Sequence, residues 1–401
     1  MLAAACASSG CSSGAAADAG PDLFLPDAQT PLFERGLVVP DWSLPCTPHD
    51  GGPPQNECNH HGSTIAELGD GTIAIAWFHG IAEKSLDTRQ VWSRKAPGGT
   101  FSAPELLYDD PVRSEGNVAL WRSETGTLFH FFVNIEGSGW GEARMRLRRS
   151  TDEGKTFSEP VTLLNEDCFM IRAPPVRLNG GELLLPTYAE CLAVPTFVRS
   201  RDDFATWTVE KNWQQGTWFL DHVGQIQPWA LVRGDGRVSI VTRDGTMKNR
   251  VGLMVSTDAR ASAFSPTKAM VLPNPGAAVA QVRLADGHVV IIFNNSPDGR
   301  QPLSAAVSDD EGETIVAIRD LVVDECAADE CSYPAVMQSL RDGTIWVSYT
   351  HNRKTIGWVR FNEAWLRQGT QRPQVTCPLG ETCTAGVCSG CSGQCFEQCV
   401  R

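Results

Sequence analysis

One pattern recurs along most of the chain: a short alternating or β-branched run, a glycine turn, and a second such run. It reads TIAELGDGTIAIAW from Thr64, NVALWRSETGTLFHFF from Asn117 and PPVRLNGGELLLPTY from Pro174. PWALVRGDGRVSIVTR from Pro228, AQVRLADGHVVIIFN from Ala280 and PAVMQSLRDGTIWVSYT from Pro334 complete the set. The turn glycines Gly71, Gly126, Gly181, Gly236, Gly287 and Gly343 are spaced by 55, 55, 55, 51 and 56 residues. Asp-Gly between alternating runs is a hairpin signal, because the tight turn needs the positive φ that Gly and Asn or Asp tolerate.

A third apolar run follows each hairpin, and several repeats then carry Ser-x-Asp with an aromatic residue nearby. The clearest copy is RRSTDEGKTFSEPVTLL from Arg148; RSRDDFATWTVE from Arg199, VSTDARASAFSP from Val255 and VSDDEGETI from Val307 are weaker. In such a turn the carboxylate holds backbone N–H groups while the ring packs beneath. A period near 55 residues with four strands per unit is too long for a solenoid coil and fits a propeller blade. The expected fold is all-β: a six-bladed β-propeller of four-stranded antiparallel blades over residues 36–361. The last repeat supplies only three strands, ending in TIGWVRF at Phe361, so the missing fourth is expected from GLVVPD, Gly36 to Asp41. That pairing would join the two ends and remove an exposed edge.

The 401 residues exceed one ordinary domain, but a closed β architecture holds this length as a unit. A net charge of −13 argues against nucleic acid or an anionic membrane as partner, while leaving room for a local basic pocket. No run of roughly eighteen uncharged apolar residues marks a membrane-spanning helix. The 14 cysteines fall into groups. Cys46 and Cys58 precede the first repeat, Cys168 and Cys191 flank a strand pair, and Cys326 and Cys331 share a loop. Six more crowd into residues 373–401, a small tail with few core-forming residues. Even-numbered groups read as disulfides in an oxidising compartment; the tail lacks the paired CxxC halves of a zinc site. Residues 1–30 read as a leader or tether. LAAAC resembles the end of a bacterial lipoprotein signal with Cys6 as the lipidated residue, and an unstructured small-residue leader is the alternative. Export, to the cell surface, the periplasm or the medium, is the expectation, and the chain is expected to be a monomer.

In a four-stranded meander the Asp-Gly turns and Ser-x-Asp turns share one face. The other face receives the segments entering each first strand and leaving each second strand. There lie His60, His61 and His79 of blade one, Arg172, Tyr188 and Glu190 of blade three, and Asp221, His222, Gln227, Arg243 and Arg250 of blade four. Blade five adds Asn294 and Arg300; blade six adds Tyr333, Tyr349, His351 and Arg353. Longer polar loops around a central mouth are the usual place for a ligand.

The repeat grammar over about residues 55–361 resembles the sialidase-like Asp-box (BNR-repeat) propellers, and HGSTIAELGDGTIAIAWFHG and SYPAVMQSLRDGTIWVSYTHNRKTI look closest to the bacterial exo-α-sialidase-like branch. The resemblance implies a carboxylate held by three arginines, a tyrosine nucleophile assisted by a glutamate, and an aspartate as acid/base. Sialidases depart in this way from the two-carboxylate scheme of most glycosidases. Carried over by position, Tyr333 in CSYPA is the nucleophile, Arg250 in KNRVGLMVSTD the second arginine and Arg300 in DGRQPLSAAVSDD the third. The first-blade Arg-Ile-Pro is absent and His60-His61 stands there. Gln227 occupies the place of the assisting glutamate, and only Glu83 and Asp87 lie near the place of the aspartate.

The expected function is an exported glycoside hydrolase removing a terminal acidic sugar. Tyr333, Glu190, Asp221 and His61 are the catalytic candidates. His60, Arg172, Gln227, Arg243, Arg250, Asn294, Arg300, His351 and Arg353 are the substrate-binding ones. No cofactor or metal is called for. Two alternatives remain open: a lyase on uronate-containing polysaccharides, with His or Tyr moving protons, and a non-catalytic glycan-binding propeller.

Overall fold

The computed structural model describes residues 29–373, apart from 41–43, 49–51, 56, 211–216, 246–248, 324 and 327–329, with the backbone of 383–384 and 387–388. Cys6 with the rest of the leader and nearly all of the Cys-rich tail lie outside the described residues. Of the tail, the structure describes an antiparallel pairing of Cys383–Thr384 with Val387–Cys388.

Six four-stranded antiparallel sheets follow one another along the chain. Blade one is Asn59–Glu67, Ile73–Gly80, Arg89–Lys95 and Glu105–Tyr108; blade two is Ser114–Arg122, Leu128–Ile135, Ala143–Ser150 and Val161–Leu164. Blade four is Gln225–Val232, Val238–Asp244, Arg250–Val255 and Lys268–Pro273; blade five is Ala280–Arg283, Val289–Asn294, Leu303–Ser308 and Ala317–Val322. Blade three splits its first strand into Phe169–Ile171 and Val176–Arg177, both pairing with Leu183–Ala189, and continues through Val194–Ser200 and Thr208–Val209. The break falls at Pro174-Pro175, which have no N–H to give the ladder. It lets Arg172 leave the sheet.

Blade six consists of Cys331–Gln338, Ile345–His351 and Thr355–Phe361, closed by a strand from the start of the chain. That strand is Phe33–Leu37, not Gly36–Asp41: Phe33 pairs with Phe361 and Leu37 with Gly357. The earlier register places Gly36 beneath the Trp358 ring, with an added Cβ only 3.1 Å from it. Asn362 fixes the seam, accepting from the Leu32 and Trp365 amides at 3.0 Å each and donating to the Thr30 carbonyl at 2.7 Å. Phe33 stacks on Trp365 with ring centroids 4.2 Å apart.

The six turn glycines all adopt φ between 70° and 97°, which is why no other residue type recurs there. The Ser-x-Asp turns repeat one bonding scheme. Asp152 accepts from the Thr156 amide at 2.9 Å and hydroxyl at 2.7 Å, while Ser150 accepts from the Gly154 amide at 2.8 Å. Ser200–Asp202–Thr206 and Ser308–Asp310–Thr314 reproduce it. Disulfides join Cys46 to Cys58, Cys168 to Cys191 and Cys326 to Cys331. No helix of the described residues is long and apolar enough to cross a membrane.

Ring closure makes the first strand indispensable. A chain lacking residues 29–40 is expected to lose its cooperative thermal transition or to melt at least about 10 °C lower, given the exposed edge and lost ladder. An unchanged transition in circular dichroism would contradict closure by Phe33–Leu37.

Candidate active site

Four innermost strands carry the same irregularity: the register slips between His61 and Thr64, Glu115 and Val118, Ile226 and Trp229, and Ser332 and Ala335. A bulge of this kind bends a strand and re-aims its side chains. Here it turns Asn117, Gln227 and Tyr333 toward the ring axis. Gln227 and Tyr333 adopt φ of 55° and 54°, unusual for residues with a Cβ, and each precedes a proline. In blade one the bulge falls on Gly62, at φ 66°, where a Cβ would stand 2.7 Å from the Phe78 ring.

These residues open onto a pocket of about 270 Å³ at the mouth, on the face opposite the glycine turns. Its polar wall is Arg243, Arg300, Arg353, Tyr333, Gln227, His61, Glu83 and Glu190; Phe78, Trp140 and Met170 form an apolar side, with Asn117 and Tyr188 between. The Tyr333 phenol oxygen accepts from Arg243 NH1 at 2.9 Å and from Gln227 Nε2 at 3.1 Å. Two N–H donors aimed at one oxygen stabilise negative charge developing on it. Among the described residues Arg243 has no carboxylate within ion-pair distance. Arg300 NH1 donates to both oxygens of Glu330, at 2.9 and 3.1 Å, and Arg353 pairs with Glu83 and, at 3.5 Å, with Glu330.

His61 lies with its ring centroid 4.1 Å from that of Tyr333. Burial first, then the nearby Arg353, Arg300, Arg172 and Arg243, holds its pKa well below the usual value, so the ring is neutral. Thr350 Oγ1 accepts from the Gly62 amide at 3.2 Å and sits 2.9 Å from His61 Nδ1, while Nε2 faces Glu83 at 3.6 Å. The network assigns the hydrogen to Nε2. Burial raises the carboxyl of Glu190, with Arg243 pulling the other way, so its protonated form persists above the ordinary glutamate range.

Other candidates stand off the pocket. Arg172 is buried beneath it with NH1 on the Ser63 carbonyl at 2.9 Å and NH2 on the Tyr333 and Pro334 carbonyls at 2.6 and 2.8 Å. It therefore braces the backbone; its Nε is buried without a hydrogen-bond partner, and the side chain does not line the pocket. His60 points to the other side of its strand, accepting from Trp77 Nε1 at 2.9 Å, with the tilted His79 ring centroid 4.4 Å away. Asp221 lies in the last turn of a short helix, Thr217–His222, and does not line the pocket. Arg250 begins the strand after Arg243, its amide bonded to Asp244 Oδ2 at 3.3 Å, and its side chain stays outside the lining; Arg243 occupies the mouth instead. Asn294 spends its amide on the Cys331 and Pro302 carbonyls at 2.8 and 3.4 Å. His351 is buried beside the Cys326 sulfur, 3.8 Å from it.

A scan against family models matches the BNR repeat-like domain over residues 71–347. The chain belongs to this family. The match spans well over half of its length and runs from the first glycine turn into blade six. A sialidase from Bacteroides fragilis (strain YCH46) is 24% identical over 158 residues, 35% of this chain and 29% of that protein. The chain thus covers under a third of that relative's length. Among solved structures, a protein of unknown function from Dyadobacter fermentans superposes with a TM-score of 0.64 at 15% identity, covering 76% of this chain and 95% of that one. The intramolecular trans-sialidase of Ruminococcus gnavus, solved with oseltamivir carboxylate, gives 0.62 at 13% identity over 78% and 96%. At such identities the likeness is one of fold: a sialidase-like BNR-repeat propeller.

Sequence reasoning missed Asn117, Trp140, Met170, Phe78 and Glu330, and it left Glu83 as a mere neighbour. The X-Pro pairs at Gln227 and Tyr333 were the available signal for the bulges, since a residue before proline avoids the helical region.

Buried neutral imidazoles make the propeller acid-sensitive. Burial lowers the His60 pKa to about 3, with His79 adding to it, and burial lowers His79 to about 4. The unfolded chain binds protons at these sites near pH 6.5 while the folded chain refuses them, so their contribution is complete above that pH and declines toward pH 4 and below. The urea midpoint is expected to fall steadily from pH 6.5 to 4, less steeply in His79→Asn. A flat profile would remove this account of the two rings.

Proposed function

We propose that this propeller is an exported glycan-active enzyme that cleaves the bond to a terminal sugar bearing a carboxylate. One observation carries the reading: a tyrosine oxygen held by Arg243 and Gln227 at the mouth of a pocket that also contains a carboxyl group, Glu190, whose pKa burial raises. The guanidinium of Arg243, with no carboxylate partner among the described residues, suits planar two-point binding of the sugar carboxylate. A phenol beside that carboxylate adds no repelling charge as an attacking carboxylate would. Glu190 would protonate the departing oxygen, and Tyr333 would face the anomeric carbon. Sialidase-like relatives and the disulfides among the described residues support this reading and an oxidising compartment.

A second reading, elimination from a uronate, draws on Gln227. Its amide donates to the phenol oxygen and cannot take the phenol's proton as a glutamate would. In elimination Arg243 neutralises the carboxylate, Tyr333, acting as the phenolate to which Arg243 and Gln227 donate, takes up the adjacent proton, and Glu190 again protonates the leaving oxygen. The product then carries a new double bond and absorbs in the ultraviolet.

A chromogenic glycoside of a carboxylated sugar and a uronate polymer, assayed in parallel, separate the two. Turnover of the glycoside is expected, falling as pH rises through the elevated pKa of Glu190; Glu190→Gln is expected to erase that alkaline decline. Tyr333→Phe should lower kcat by about 10²-fold or more. Turnover unaffected by Tyr333→Phe would overturn the reading, and binding without turnover of either substrate would make the propeller a lectin.

A further inference from the structure

We propose that Glu330, with Glu83, restricts this pocket to a ligand carrying a single negative charge. The inference rests on the reading of the pocket as a carboxylate-sugar site and specifies its substrate class. Three guanidiniums line the cavity, which by itself suggests affinity for highly charged anions. Two of them are already matched. Arg300 meets both oxygens of Glu330 at 2.9 and 3.1 Å and gives its NH2 to the Gly276 carbonyl at 3.1 Å. Arg353 is paired with Glu83 from blade one and reaches Glu330 at 3.5 Å. Arg243 alone meets the cavity without a carboxylate partner among the described residues, its NH1 donating to the Tyr333 phenol oxygen.

One arriving carboxylate therefore gives the last of the three lining guanidiniums a partner. A second charge would have to draw a guanidinium away from its glutamate, leaving a part-buried carboxylate without its partner, or remain without a cationic partner of its own; either is unfavourable. Glu330 is built to resist being drawn off. It does not line the cavity, and its side chain is 14% exposed. The Ser332 hydroxyl bonds its carboxylate, its carbonyl accepts from the Asn352 amide at 2.8 Å, and the Cys331 amide bonds the Arg300 carbonyl at 3.0 Å. The next residue, Cys331, is held to Cys326 by a disulfide. Glu330 is thus a positioning residue that sets specificity without touching the sugar.

Titration calorimetry near pH 7.5 with glucuronate or N-acetylneuraminate as monoanions, and a sugar phosphate as dianion, tests this on the full chain. The wild type is expected to prefer the monoanions. Glu330→Gln bares Arg300 and should tighten the phosphate relative to the carboxylate by at least about tenfold at low salt, with the gain shrinking as salt is raised. Glu83→Gln bares Arg353 from the other side and should shift the ratio in the same direction, so a folding failure in one variant leaves the other to decide. Folded variants that keep the wild-type ratio would overturn the role of the two glutamates while leaving the carboxylate site standing. A wild type that binds neither class of sugar would overturn both.

Discussion

A single buried guanidinium ties the ring together under its own mouth. Arg172, from blade three, reaches Ser63 of blade one and Tyr333 and Pro334 of blade six through their carbonyls. Burial lowers its pKa to about 10, which still leaves it charged at neutral pH. The charge is balanced by carbonyl dipoles, an arrangement made stable by three N–H donors met by carbonyl oxygens. The consequence reaches the chemistry. Tyr333 sits in a left-handed conformation that a tyrosine does not choose, and the bond from Arg172 to its carbonyl helps hold it there. The same guanidinium lies 5.6 Å from the centre of the Tyr333 ring, adding to the positive field around the phenol.

Above this brace the pocket divides by charge. Blades four to six bring Gln227, Arg243, Arg300, Tyr333 and Arg353; blades one to three bring Phe78, Trp140 and Met170 with Glu83 and Glu190. No two neighbouring segments could assemble this set. It exists because residues 33–37 close the circle against residues 357–361, fixing blade six beside blade one. Arg353 then lies across the seam from Glu83, and His61 opposite Tyr333.

The fold was legible in the sequence because its determinants are local: hairpin glycines, period-2 runs and Ser-x-Asp turns all sit within a few residues of the structure they specify. The closing strand was placed three residues late, since alternation in FERGLVVPD permits more than one register and only Trp358 and Phe361 decide it. The pocket was legible by face and less so by residue. Arg243 and Arg250 are seven positions apart, and which one reaches the mouth depends on strand pairing, with Arg243 opposite Ile226 next to the bulge. Arg172 resembled a ligand arginine in composition, yet the Pro174-Pro175 break turns it inward to carbonyls left open by two other blades. Glu330 carried no motif at all; its role arises from contacts to Arg300 of blade five and to Ser332, Asn352 and Arg353 of blade six.

The most direct test is a crystal structure of the protein with a carboxylated monosaccharide bound. The account predicts the carboxylate in two-point contact with Arg243, the ring within reach of the Tyr333 oxygen, and Arg172 unchanged on its three carbonyls. A sugar seated on the glycine-turn face, or a carboxylate held by Arg250 away from Tyr333, would contradict it.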